Sequence, residues 1–276
     1  MPNIQAVTLS RHSARGWLRP DNYLFSKSNT IVNLTADEMS DAVFSLPTAF
    51  LRVDEDLSLV ALTGILENEN AMIDRLGRWR GQYIPATLRL YPFRLGQVER
   101  GKGVVCVDEE SGLVVELVGD AGSPSTSKPI PFFYRDNAES DELAKVSNYL
   151  KKIYAAQEFT KSLCEFLDQL DLLKPWVISV QGGKDGQEEN SSISVSPYLK
   201  HLYCVDESKI NSLPPDKLAQ FRDNGGLWVS HCQRLSMRNL HKLIKRTKSH
   251  IKDKSEKSSD SIFELKDSGS VNLDNI

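Results

Sequence analysis

The sequence predicts an α+β fold in which antiparallel hairpins pack with one long helix and several short helices. Three observations carry this. Apolar runs of strand length alternate with turn residues, as in 48–53 and 57–66 across Asp54-Glu55-Asp56. A stripe of Leu143, Val146, Leu150, Ile153, Leu163, Leu167 and Leu170 repeats at three- and four-residue steps, which predicts a long helix over 141–173. Pro47, Pro175, Pro214-Pro215 and Gly225-Gly226 divide the remainder into short pieces.

In chain order, 1–33 reads as short extended segments, with Arg15-Gly16-Trp17 and Arg19-Pro20 as loop punctuation. Thr35-Ala36-Asp37-Glu38 is a capping box that starts a helix over 35–45, which Pro47 ends. The 48–53/57–66 hairpin follows, its three adjacent carboxylates forming a solvated turn. They lack the spaced ligands and glycine of a calcium loop. Residues 103–109 and 113–118 predict a second hairpin, and the Gly/Ser/Pro-rich span 119–131 an exposed crossover. Within the long helix, Thr160 is expected to bond the preceding helical turn. Beyond Lys174-Pro175, residues 176–180 read as a strand, 181–192 as a polar loop and 198–205 as another extended run. A helix starts at Pro214-Pro215-Asp216 and ends at Asn224-Gly225-Gly226. Residues 227–229 read as a short strand, and Ser236 as the cap of a last helix bearing Leu240, Leu243 and Ile244. Cys-Val-Asp-Glu occurs at 106–109 and at 204–207, through either an internal duplication or common turn chemistry.

The densest run of rings, arginines and backbone punctuation is 73–95, IDRLGRWRGQYIPATLRLYPFRL. Gly77 and Gly81 bracket Arg78-Trp79-Arg80, which predicts a tight turn anchored by the indole. Pro85 and Pro92 lie at the two ends of a short apolar run, so the segment does not read as a central strand. Arg89 falls inside that run, where a buried charge requires a carboxylate or several carbonyls. Trp79, Tyr83, Arg89 and Tyr91, with His231 beside Cys232, form the candidate ligand-binding set. The competing reading of the rings is core packing.

Several function classes lose support from composition. The formal net charge of −3 provides no global field for nucleic-acid phosphates. Cys106, Cys164, Cys204 and Cys232 include no Cys-x-x-Cys pair, which fits reduced thiols in a cytoplasmic protein. No apolar run approaches a membrane span, and the basic start lacks a signal-peptide core. His201 and Cys204 would make only half a zinc site. There is no Walker loop, dinucleotide fingerprint, nucleophile elbow or His-Glu-x-x-His, so no catalytic residue, metal or cofactor is assigned. Residues 1–248 read as one globular domain, and 249–276, rich in Lys, Ser, Asp and Glu, as a disordered polar tail.

The segment GRWRGQYIPATLRLYPF resembles the Gly-Arg-Trp, Tyr-x-Pro and Arg-x-Tyr-Pro-Phe signature of the bacterial SapC family. Further pieces match in order: Arg11-His12, Tyr23-Leu24-Phe25, Cys106 to Glu109, Thr160, Leu172 to Trp176, Val205 to Glu207, His231, Leu235-Ser236 and Asn239-Leu240. Where the family more often has paired arginines before Tyr-Pro-Phe, Leu90 follows Arg89. The resemblance implies a soluble accessory or binding protein of a bacterial surface-layer or peptide-handling pathway, with a protein or peptide as partner. The alternative is an enzyme or small-ligand protein with an Arg/His/aromatic pocket. The peptide-transporter permease that shares the name would need several spanning helices, and this sequence contains none.

Overall fold

The computed structural model describes residues 3–98, 102–117, 128–178 and 195–255. In chain order it contains β1 (Ile4–Ala6), α1 (Leu9–His12), β2 (Arg15–Trp17), β3 (Ile31–Asn33), α2 (Met39–Ala42), β4 (Thr48–Val53), β5 (Asp56–Leu62), α3 (Ala86–Arg89), β6 (Phe93–Val98), β7 (Lys102–Asp108), β8 (Val114–Glu116), β9 (Ile130–Pro131), α4 (Asp141–Gln169), β10 (Leu173–Pro175), β11 (Leu202–Val205), α5 (Glu207–Asn211), α6 (Pro215–Asp223), α7 (Gly226–Ser236) and α8 (Asn239–Ser255). Every pairing between these strands is antiparallel, in three sheets ordered β1-β7-β6, β8-β2-β9 and β10-β11-β4-β5-β3. The fold is α+β, as the sequence predicts.

These residues form two compact units. The first comprises Met1–Phe25 and Ala86–Ala156, and the second Ser26–Pro85 and Gln157–Ile276. Helix α4 contributes to both cores: Leu143 and Leu150 to the first, Leu163, Cys164 and Leu167 to the second. Its start is capped by Ser140, whose hydroxyl accepts the Leu143 amide at 3.1 Å. Its end is a Schellman-type stop, with the Leu172 amide donating to the Leu167 carbonyl and Asp171 at φ 51°.

The first unit buries Trp17, Phe93, Val107, Phe132, Leu143 and Leu150. Phe132 is central, with ring centroids 4.9 Å from Trp17, 5.0 Å from His12 and 6.2 Å from Phe93. In the second unit the β4–β5 hairpin turns through Asp54 at φ 52° and its inner residues are buried, including Ala49, Phe50, Leu59 and Val60. Helix α7 lies against β4 and β11 through buried polar groups. The Gln233 amide donates to the Thr48 carbonyl at 3.1 Å and its oxygen accepts the Val205 amide at 3.2 Å. Ser236 accepts the Thr48 amide and donates to the Gln233 carbonyl. Asn239, opening α8, donates to the Val43 and Leu46 carbonyls.

Some sequence expectations are corrected. Residues 103–109 and 113–118 do contain β7 and β8, but the two are not partners: β7 pairs with β1 and β6, and β8 with β2. Between them Asp108 caps a 3-10 turn over Glu109–Ser111 and Gly112 is left-handed, redirecting the chain to another sheet. Residues 227–229 are helical, inside α7, so Ser236 ends that helix rather than capping the next. Gly225 at φ 76° joins α6 to α7, and a Cβ on Gly226 would lie 2.1 Å from the Phe221 ring. Of the strand expected at 176–180, residues 176–178 are not in a strand, β10 lies immediately before them, and 179–180 fall outside the described residues. The Thr160 hydroxyl accepts the Ala36 amide at 2.8 Å, a long-range contact not expected from the sequence. Helix α8 continues to Ser255, beyond the expected boundary at 248, and the rest of that tail, most of the 119–131 crossover and the 181–192 loop lie outside the described residues.

The recurrent Cys-Val-Asp-Glu has a local explanation. Both copies end a strand, and in each the aspartate carboxylate accepts the amide two residues on: Asp108 from Glu110 at 3.2 Å, and Asp206 from Ser208 at 3.1 Å. Shared strand-to-helix turn chemistry is enough to produce this recurrence.

Candidate functional site

The ring-anchored turn forms within the second unit. Ile73 and Trp79 make an antiparallel bridge around Gly77, which is at φ 78°. Asp74 closes it, accepting the Leu76 and Arg78 amides at 2.9 Å each and the Arg78 guanidinium at 2.8 Å. The partly buried Trp79 donates its indole N–H to the Tyr83 carbonyl at 2.7 Å. Gly81 is required here, because a Cβ would come within 2.7 Å of that indole nitrogen and 2.8 Å of Met72. The Tyr83 hydroxyl donates to Glu38 Oε1 at 2.7 Å, and Glu38 Oε2 accepts the Thr35 amide and hydroxyl at 2.8 and 3.0 Å. The capping carboxylate read from the sequence is therefore also the buried anchor of Tyr83.

Arg89 and Tyr91 belong to the first unit. Arg89, expected inside a buried apolar run, is exposed at the end of α3, with its guanidinium 5.8 Å from the centre of the Tyr149 ring. The prolines explain the difference: Pro85 precedes a single helical turn and the cis Tyr91-Pro92 bond leads into β6, so the apolar run is a helix with an outer face. Tyr91 stacks on Phe25 with centroids 3.9 Å apart and planes 8° from parallel. Burial, with the nearby Asp108 carboxylate, raises its phenol pKa.

His231 lies on the outward face of α7, in the second unit. Val229, Ser230, Cys232, Gln233 and Ser236 face inward, whereas Trp228, His231, Leu235 and Arg238 are exposed. Trp228 and Leu235 retain 57% and 56% of their accessible surface, a large exposure for an indole and an isobutyl group. Their spacing of three and four residues through His231 aligns all three on one stripe. Arg234 beside it is ion-paired with Glu207. The structure thus places Trp79, Tyr83 and His231 in one unit and Arg89 and Tyr91 in the other.

An ionic cluster in the first unit was not singled out from the sequence. Glu109 receives a bidentate pair of bonds from Arg11, at 2.6 and 2.7 Å, and one from Arg15 at 3.1 Å. Fully buried His12 has Nε2 3.3 Å from the same carboxylate, in a direction that makes no hydrogen bond. Burial holds the His12 pKa below its ordinary value, and the Arg11 hydrogen bond holds that of Glu109 below its own. Adjacent Arg11-His12 was a sequence signal, but its partner is 98 residues away.

The thiols are not poised as nucleophiles. Burial raises the pKa of Cys106, Cys204 and Cys232, and pushes Cys164 up to about 12. Among the described residues, no group of three or more His, Cys, Asp or Glu side chains could hold a metal, and no helix is long and apolar enough to cross a membrane.

The family model described as SapC matches residues 8–243. No curated protein and no solved structure matches the chain.

Proposed function

The chain belongs to the SapC family, and on that premise we propose that it is a cytoplasmic bacterial binding or accessory protein that engages a protein or peptide partner through the outer face of α7. The observation that carries this reading is the exposed Trp228–His231–Leu235 stripe. A helix that needs only its inner face for folding gains nothing in stability from an exposed indole. At an interface, tryptophan is among the residues that contribute most to binding. The buried polar side chains of α7 fix that face rigidly, since Gln233 and Ser236 tie it to β4 and β11. The surface-layer or peptide-handling pathway implied by the family resemblance supplies the class of partner.

The test is site-specific photo-cross-linking in the native host, with the cross-linker at position 228 or 235 and, as control, at exposed Lys161. The expected result is one dominant adduct from 228 and 235. The purified partner should then bind Trp228→Ser at least about tenfold more weakly than wild type, as loss of a hot-spot residue predicts. Equal cross-linking from position 161, or undiminished affinity of Trp228→Ser, would remove the basis of the reading.

A further inference from the structure

A second feature of the second unit is independent of α7. The turn at 74–80 and the distal part of α8 enclose a cleft of about 540 Å³, with Asp74, Arg75, Arg78, Arg80, Arg246 and His250 in its lining. Arg78, Arg80 and Arg246 bring three guanidinium groups to the cleft beside the Asp74 carboxylate, which is committed, while the Glu69 carboxylate lies 3.4 Å from the His250 ring. Asp74 already accepts two amides and the Arg78 side chain, and Arg80 lies 3.2 Å from its Oδ2. Desolvation pushes the Asp74 pKa up, but these hydrogen bonds outweigh it and the carboxyl titrates below its ordinary range.

Arg246 gives the cleft its character. Its guanidinium is held by two neutral acceptors, Met72 Sδ at 2.9 Å and the Arg80 carbonyl at 2.8 Å. Among the described residues no carboxylate lies within ion-pairing distance of it. Burial and the neighbouring Arg80 charge both lower its pKa, so the cation is partly desolvated and repelled where it stands. Fixing like charges together is unfavourable until an anion enters between them, and the planar forks of arginine match the oxygen geometry of phosphate. The cleft has the volume of a small-molecule site and would accommodate more than a bare ion.

We infer that Arg78 and Arg80 of the turn, with Arg246, form a binding site for a small phosphate ester or diphosphate. Arg78 and Arg80 reach the phosphate from the turn, Arg246 supplies the desolvated charge beneath it, and the rest of the cleft takes the organic part.

The experiment is calorimetric titration of the full chain with pyrophosphate and with inorganic phosphate, at constant ionic strength set by chloride. Saturable one-to-one binding of pyrophosphate, displaced by phosphate, is expected. Arg246→Gln and the double variant Arg78→Gln/Arg80→Gln should each weaken it by at least about tenfold, as loss of charged hydrogen bonds predicts. The double variant changes only exposed side chains, so its circular dichroism melt should show a folded chain even if Arg246→Gln destabilises. Trp228→Ser should bind pyrophosphate as wild type does, which separates this site from the α7 surface. Heats that do not saturate, or wild-type affinity in the double variant, would overturn the inference. Capture on phosphatidic-acid vesicles that soluble pyrophosphate fails to displace would overturn it too, by placing the phosphate on a lipid surface.

Discussion

In the second unit, buried polar side chains are tied by neutral hydrogen bonds that span long stretches of sequence: Gln233 to Thr48, 185 residues apart, and Thr160 to Ala36, 124 apart. In the first unit the corresponding long-range tie is ionic, with Glu109 gathering Arg11 and Arg15 over fully buried His12. Neutral bonds between buried groups neither titrate near neutral pH nor weaken greatly with salt. Charges at a half-exposed rim do both. The two sets of ties therefore use different chemistry for the same task, and the conditions that loosen the Glu109 cluster should leave the Gln233 and Thr160 bonds unaffected.

The largest effects should be common to both and thereby isolate the difference. Phe132→Ala in the first unit and Phe50→Ala in the second each empty a fully buried site and should destabilise by roughly 3–5 kcal/mol in denaturant melts. A loss under about 1 kcal/mol for Phe132→Ala would mean that the first unit rests on its charges, and the comparison would have to be redrawn. Gln233→Leu should come next. It leaves the Val205 amide and the Thr48 carbonyl without their buried partner, a loss of roughly 1–3 kcal/mol, and that loss should be the same in low and high salt. A strong salt dependence there would break the contrast.

Acid sharpens it. The folded-state pKa of His12 is depressed from 6.5, so as pH falls through 6.5 the unfolded chain binds a proton that the folded chain refuses, and stability declines. The folded-state pKa of Glu109 is depressed from 4.5, so the stability it contributes is present above 4.5 and is lost as pH falls below that value. His12→Gln should flatten the melting temperature between pH 6.5 and 4.5 while leaving the decline below 4.5. An unchanged profile would assign the acid sensitivity to other groups. The smallest effect belongs to Arg89→Ala, within about 0.5 kcal/mol, because the side chain is exposed at the end of α3 and meets the Tyr149 ring across its face. A loss of several kcal/mol would restore the buried role read from the sequence.

What was legible in the sequence was chemistry decided within a few residues. Thr35 and Glu38, the Asp54 turn, Pro215 opening α6 and Gly225 closing it all appear as their local signals require. Partner choice was not legible. The runs containing β7 and β8 look like two arms of a hairpin, and only the turn that Asp108 caps sends them to separate sheets. Helix α7 was hidden because its inward face includes Ser230, Gln233 and Ser236, polar residues that interrupt the apolar period and serve as hydrogen-bond clamps. The same limit applies to the cleft. Arg78-Trp79-Arg80 stood out in the sequence, but Arg246 reaches that turn across 166 residues of chain.

The pairing of β1 with β7 sets a timetable for synthesis. Ile4 lies opposite Asp108, so β1 waits for about a hundred further residues before its partner exists. At about 5–20 residues per second that is roughly 5–20 s on the ribosome. The first unit is thus assembled around its later half, once α3, β6 and β7 have emerged. Throughout that interval Ile4-Gln5-Ala6 lacks the strand it pairs with in the folded unit.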